Sequence, residues 1–247
     1  MVENVFVLMP AYNAGTTLEH VFARIPDAAR ERIRQYVVVN DGSTDGTKAA
    51  LDRLRTEYPN LVTLNHAVNR GYGAAQKTLL GYARRHGADA GIVLHSDGQY
   101  SPELIPQLLA PLDQDTADMV QGSRMLGGGA LRGGMPLYKF IANKALTAIE
   151  NLAFGLKLAE YHSGYMLYSR KTIAAIPFHE LSDSFDFDLE MIVMARVMGL
   201  RIAEIAIPTI YAGEVSHLSP IRYGMRVLAV VRDYQRGKYA KLAETEQ

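Results

Sequence analysis

The stretch Ile92-Val93-Leu94-His95-Ser96-Asp97-Gly98-Gln99-Tyr100-Ser101-Pro102-Glu103 constrains the fold more than any other. Ile92 to His95 has the pattern of a buried strand, and Ser101-Pro102-Glu103 reads as a helix N-cap with proline at the first helical position. A polar turn is therefore held between a strand end and a helix start. In an α/β sheet this is the carboxyl edge, where ligands bind. Asp97 has the chemistry to hold a divalent cation, and His95 and Gln99, two residues to either side, can face the same bound group. Asp97 and Gln99 equally suit an ordinary turn in which they bond their own backbone.

The same pattern recurs upstream. Val5 to Met9 is continuously apolar and ends at Pro10, as suits a strand buried on both faces of a parallel sheet. The loop Pro10-Ala11-Tyr12-Asn13-Ala14-Gly15 follows, and Thr16 or Thr17 caps a helix running to about Ile25. Tyr36 to Val39 is a second strand, ending in the polar turn Asn40 to Thr47. Leu61 to Leu64 is a third, and Asn69-Arg70-Gly71-Tyr72-Gly73-Ala74-Ala75 leads into a helix ending near His86. Strands that alternate with helices predict an α/β fold with a mostly parallel central sheet, right-handed crossovers and helices on both faces.

Beyond a fifth strand at Asp118 to Gly122 the pattern changes. Gly127-Gly128-Gly129 and Gly133-Gly134 bracket a segment expected to be a mobile flap or a segment ordered by ligand. Leu137 to Leu158 is predicted as a helix with a broad apolar face, a stripe that is more often core than membrane contact. Gly164 to Tyr168 is expected as a short strand, Phe187 to Met198 as a helix and Arg201 to Ile207 as a strand. The segment Pro220 to Arg236 is read as a helix that is basic on one side.

A chain of 247 residues can bury a full core as one large α/β domain. Lys+Arg and Asp+Glu both number 26, so the chain as a whole carries no electrostatic footprint for nucleic acid. There is no cysteine, which excludes disulfides and thiolate metal sites. The start, without a basic leader, reads as cytoplasmic. No apolar run approaches the roughly 18 residues of a membrane span, so membrane contact is expected to be peripheral.

Two further turns carry candidate chemistry. Gly71-Tyr72-Gly73 comes close to a dinucleotide fingerprint, but Gln76 stands where a small residue is needed and this is the third strand-to-helix unit. A dehydrogenase is thereby disfavoured. Asp41, at the tip of the second strand, points into the crevice and can accept hydrogen bonds from a base or ribose. Pro10 to Asn13, Asp41 and Asp97 line one sheet edge.

The order Pro-Ala-Tyr-Asn (10 to 13), Asn-Asp-Gly-Ser-Thr-Asp-Gly-Thr (40 to 47), Asn-Arg-Gly-Tyr-Gly (69 to 73) and Ser-Asp-Gly-Gln (96 to 99) resembles the family 2 glycosyltransferases. Gly122-Ser123-Arg124, Ser163-Gly164-Tyr165 and Phe187-Asp188-Leu189-Glu190 resemble the dolichol- or polyprenol-phosphate sugar transferase branch, here without C-terminal membrane spans. The resemblance implies a GT-A fold, a nucleotide-sugar donor, a divalent cation (Mn²⁺ or Mg²⁺) and inversion at the sugar carbon. It also implies a division into a nucleotide-sugar half (about 1–122), an acceptor half (about 123–217) and a helical tail (218–247).

The resemblance puts Pro10, Ala11, Tyr12 and Asn13 around the nucleobase and ribose and Asp41 on the base, with Gly71 and Ser96 in the same donor site. Asp97, with His95 and Gln99, would hold the cation. Arg124 would face the acceptor or the donor phosphates, and Asp188 and Glu190 would sit under the acceptor. His217 would meet the diphosphate. This chain departs from the family at His95, which replaces the first acidic residue of an Asp-x-Asp pair, at Ala14, where a Glu is usual, and at Met166, where an Arg often stands. A nitrogen ligand at His95 would favour Mn²⁺ over Mg²⁺.

The implied function is sugar transfer to a lipid-phosphate or saccharide acceptor, in the cytoplasm or at the inner face of the membrane. A catalytically silent nucleotide-sugar-binding protein is the alternative that the missing carboxylate at His95 suggests. A nucleotidyltransferase is less favoured, because residues 10 to 15 contain neither Lys nor Arg for a phosphate loop.

Overall fold

A computed structural model describes residues 2–208 and 220–245. The elements in chain order are β1 (Val5–Ala11), α1 (Leu18–Ala23), α2 (Asp27–Arg30), β2 (Ile33–Asp41), α3 (Thr47–Glu57), β3 (Leu61–His66), α4 (Tyr72–Arg85), β4 (Ala90–Val93), α5 (Ile105–Asp113), β5 (Met119–Ser123), α6 (Gly129–Arg132), α7 (Leu137–Phe154), β6 (Met166–Ser169), α8 (Arg170–Ala175), α9 (Phe187–Val197), β7 (Ile202–Ala206), α10 (Pro220–Gln235) and α11 (Lys238–Glu244). The strands form one sheet in the order β3-β2-β1-β4-β6-β5-β7. All pairings are parallel except those of β6, which runs antiparallel to β4 and β5.

Alternate residues of β1 feed two cores, one on each sheet face. Val5, Val7 and Met9 pack with α1, α3 and α5, whereas Phe6 and Leu8 pack with α4 and α9. This two-sided burial is why the strands read as continuous apolar runs. Tyr239 of α11 and Val227 of α10 are fully buried in the second core. The C-terminal helices thus pack against α7 and α9.

Two segments of the second half differ in form from the strand-and-helix reading of the sequence. The glycine-rich segment forms a 3₁₀ turn, Leu126–Gly128, followed by α6. Gly127 and Gly128 adopt φ of 72° and 71°, which glycine permits at little cost, and Met125, Ala130 and Met135 bury themselves in a small apolar cluster. The broad apolar face of α7 is not core. Its buried residues are Thr147, Glu150 and Phe154, while Leu137, Tyr138, Ile141, Ile149 and Leu152 are exposed. The reason is a polar interior: Asn143 faces Glu160, and Glu150 lies beside His162. The helix also stops early, at Phe154, because Gly155 takes a left-handed conformation and its N–H donates to the Asn151 carbonyl.

Candidate active site

The carboxyl ends of β1, β2 and β4 are laced together by short side chain to backbone bonds. At the end of β1, Asn13 adopts φ of 52°, its N–H donates to Ser43 Oγ (3.0 Å), and its Oδ1 accepts from Thr44 N (3.0 Å). Ala14 N donates to Thr47 Oγ1 and Gly15 N to Asp45 Oδ2, so the first loop is fixed to the start of α3. Ser96 Oγ donates to the Pro10 carbonyl (2.9 Å) and Thr17 Oγ1 to the Ser96 carbonyl (2.6 Å), which ties β1 to β4. Pro10 is half-buried and Ala11 and Ser96 are buried, so their contribution is to shape the edge. Tyr12 is 52% exposed and presents an aromatic face at that edge.

Asp41 lies deeper than its strand-tip position suggests. Its Oδ1 accepts from His66 Nδ1 (2.6 Å) and Arg70 N (2.9 Å), and its Oδ2 accepts from Gly71 N (3.0 Å). A buried carboxylate engaged in this way organises the loop between β3 and α4. Gly71 allows the chain to turn there, with φ of 95°.

Tyr72, the first residue of α4, joins three elements through one hydroxyl. It donates to Asp188 Oδ2 (2.7 Å) on α9, accepts from Gln76 Nε2 (2.7 Å) and meets His95 Nε2 (3.1 Å) at the end of β4. A hydroxyl has one proton. With that proton on Asp188, His95 must supply an Nε2–H, which leaves Nδ1 as its unprotonated nitrogen. Burial lowers the His95 pKa, against the raising influence of Asp97, and Arg124 lowers it further. Gly164 closes over the pair: a Cβ there would stand 2.7 Å from His95 Nε2 and 2.9 Å from Tyr72 Oη. Burial pushes Asp188 up to about 7, against the lowering effect of hydrogen bonds from Tyr72 and Tyr168.

Asp97 is half-buried at the crevice, and its Oδ1 accepts from Gln99 N (3.0 Å). Among the described residues no group of three or more His, Asp or Glu side chains could hold a metal by itself. One carboxylate with unused oxygen valence suits a cation shared with phosphate oxygens and water, the usual arrangement for Mg²⁺ at nucleotide sites. His95 can add only Nδ1, since Nε2 is engaged.

The two acidic residues of α9 do not act together. Glu190 accepts from Ser182 N and Tyr239 Oη (2.8 Å) and lies near Lys238, so it fastens α9 to α11 and not to the crevice. Residues two apart on a helix face different directions, so Glu190 turns to α11 while Asp188 turns to Tyr72. Arg124 is partly exposed, forms a charged pair with the fully buried Glu160 and donates to the His162 carbonyl (2.7 Å). His217 lies outside the described residues.

Tyr72, Tyr100, Glu160 and Gly164 were not singled out individually by sequence reasoning, and Gln76 entered only as a departure from the dinucleotide fingerprint. Tyr72 stands within Gly71-Tyr72-Gly73, a visible motif; Glu160 has no local signal, since only the return of the chain beside β5 brings it to Arg124.

Seven strands in this order with a laced carboxyl edge define a GT-A type α/β fold. Glucosyl-3-phosphoglycerate synthase from Mycobacterium tuberculosis, solved with Mn²⁺, UDP-glucose and phosphoglyceric acid, aligns with a TM-score of 0.66 over 93% of this chain and 78% of its own, at 17% identity. The sequence matches the model of "Glycosyl transferase family 2" over residues 6–176, and the chain belongs to that family. It is 29% identical to an undecaprenyl-phosphate mannosyltransferase of Micrococcus luteus, over 82% of each chain. It is 26% identical to a UDP-N-acetylglucosamine–dolichyl-phosphate N-acetylglucosaminyltransferase of Methanococcus voltae, over 84% of this chain and 86% of that one. The chain is a glycosyltransferase of this family.

Proposed function

We propose that the protein transfers a glycosyl group, with inversion, from a nucleoside-diphosphate sugar to a polyprenyl-type lipid phosphate. The observation that carries the choice of acceptor is the setting of Asp188. Its carboxylate is 6% exposed, with the Tyr72 and Tyr168 hydroxyls on its two oxygens, so it is not offered as a base to an incoming sugar hydroxyl. A phosphate monoester has a second pKa near 6 and attacks without a base. An acceptor phosphate oxygen bonds to the anomeric carbon, the bond from that carbon to the diphosphate breaks, and the nucleoside diphosphate departs with the electron pair. One displacement inverts the centre. The lipid-phosphate transferases among the relatives support the same acceptor class.

In this reading Tyr12 stacks on the nucleobase, and the loops fixed by Asn13 and Asp41 shape the pocket for base and ribose. Gly71 gives the backbone room beside the donor. Asp97, with Gln99 and Nδ1 of His95, would hold a Mn²⁺ or Mg²⁺ ion, which when bound neutralises charge on the leaving diphosphate. Arg124 adds positive potential beside His95. Asp188 positions Tyr72 and thereby His95. No helix among the described residues is long and apolar enough to cross a membrane.

The test is product analysis with radiolabelled UDP- and GDP-sugars, undecaprenyl phosphate and its short-chain water-soluble analogues. The expected product is a glycosyl phospholipid, labile to mild acid, and Asp97→Asn should lower its formation at least about 100-fold. Transfer only to saccharide hydroxyls, or nucleotide-sugar binding with no turnover on any acceptor, would reject the proposal.

A further inference from the structure

Arg124, just past the end of β5, is held by the chain returning from α7. Its backbone N–H donates to Glu160 Oε2 (2.8 Å), its Nε donates to Glu160 Oε1 (3.1 Å), and its Nη2 donates to the His162 carbonyl (2.7 Å). The place of the guanidinium therefore follows the backbone of residues 160–162. That backbone belongs to neither a helix nor a strand, so its polar groups are met by side chains. Glu204 accepts from Ala159 N (2.7 Å) and Glu160 N (3.2 Å), and Tyr100 Oη accepts from Gly164 N (2.8 Å).

The ring of His162 adds an anchor of another kind. On one side Nδ1 meets Tyr223 Oη (3.0 Å) in the first turn of α10, with the two rings edge-on and 5.3 Å apart. On the other, Nε2 lies 3.3 Å from Glu150 Oε2 on α7. Glu150 is fully buried and the His162 side chain nearly so. Among the described residues neither Glu150 oxygen has an aligned hydrogen-bond partner, and burial raises its pKa against the lowering influence of His162. A carboxyl group placed in this way is a poor means of stabilising a fold, since apolar side chains of similar size do as well or better. What the row supplies is direction. It pins one imidazole between two helices, and the residue that carries the imidazole also carries the carbonyl on Arg124.

We propose that Glu150, His162 and Tyr223 are positioning residues that set where the Arg124 guanidinium stands beside His95, and thereby how tightly the anionic group of the acceptor is held. The inference deepens the lipid-phosphate reading and, as regards the acceptor, rests on it.

The experiment removes the row without stranding a polar group, by combining Glu150→Leu, His162→Leu and Tyr223→Phe. Tyr223→Phe alone, which deletes a single hydroxyl, carries the test if the triple variant does not fold. The triple variant should keep or exceed the wild-type thermal midpoint and raise the KM for a short-chain water-soluble prenyl phosphate about tenfold, with kcat and the donor Kd changed less than about twofold. Tyr223→Phe should raise that KM severalfold. Placed in the background Arg124→Ala with Glu160→Gln, the same substitutions should add less than about twofold, because their effect runs through the guanidinium. In spectra of protein labelled with ¹⁵N-arginine, the Arg124 Nε–H resonance, identified by its loss in that background, should shift in both the triple variant and Tyr223→Phe. An unmoved resonance overturns the proposal, as does an unchanged acceptor KM or a KM penalty of equal size in the background without Arg124. A wild type that turns over no prenyl phosphate, with the resonance still shifting in the variants, removes the lipid-phosphate reading and keeps the positioning role; turnover with an unmoved resonance does the reverse.

Discussion

Tyr72 Oη lies 2.7 Å from Asp188 Oδ2, a contact that joins the first turn of α4 to the first turn of α9 across 116 residues of sequence. It sets the proton count of the site, because the same oxygen accepts from Gln76 and meets His95 Nε2.

The first prediction follows from the raised pKa of Asp188. Its folded value of about 7 exceeds the ordinary 3.8, chiefly through burial, so the native state holds more protons than the unfolded chain between those values. The favourable contribution is fully present below pH 4 and is lost as pH rises towards 7. Asp188→Asn should therefore gain stability relative to wild type across that window, by up to roughly 4 kcal/mol, and show a constant difference above it. Urea unfolding at several pH values reads this directly. A difference independent of pH would mean that Asp188 does not titrate there.

Asp41 and Tyr12 should separate as variants. Asp41→Ala leaves His66 Nδ1 and Arg70 N without this acceptor, while Gly71 N keeps Asn69 Oδ1, and is expected to cost about 1 to 3 kcal/mol in stability as well as to raise the donor KM. Tyr12→Ala removes an exposed ring and should raise the donor KM with no measurable change in the thermal midpoint. Paired calorimetry of unfolding and nucleotide binding checks both.

Gly42 provides a test of how tightly the edge is packed. It adopts φ of 66°, and a Cβ there would overlap the backbone of Val68 and Asn69. Gly42→Ala should cost about 2 kcal/mol or more. Gly46→Ala, at an ordinary φ of −71° with open space around it, should stay within about 0.5 kcal/mol of wild type. Comparison of their denaturation midpoints reads the contrast.

Arg124→Ala strands the fully buried Glu160 and should destabilise the protein by about 3 to 5 kcal/mol. Combining it with Glu160→Gln should recover most of that loss. If Arg124 serves the anionic acceptor, the stable double variant should still transfer poorly, with a raised acceptor KM. Recovery of full turnover would mean that the arginine only offsets Glu160.

The sequence by itself determined the alternation of strands and helices and the three polar strand ends on one edge. Each of these is a local property: a strand buried on both faces must be apolar throughout, and a chain that turns at its carboxyl end into a capped helix needs small and polar residues there. Tertiary structure alone decided which of those polar groups face outward. Asp41 and Tyr12 look equally available in sequence, yet the loop carrying Arg70 and Gly71 folds onto the first and leaves the second exposed. Glu190 and Asp188 share a motif, but helical geometry sends one to Tyr239 and the other to Tyr72. The apolar stripe of α7 has the pattern of a core helix. Its orientation was decided by Asn143, Thr147 and Glu150, whose neighbours Glu160 and His162 reach them only when the chain returns towards β6, and a contact of that kind is written in no local pattern.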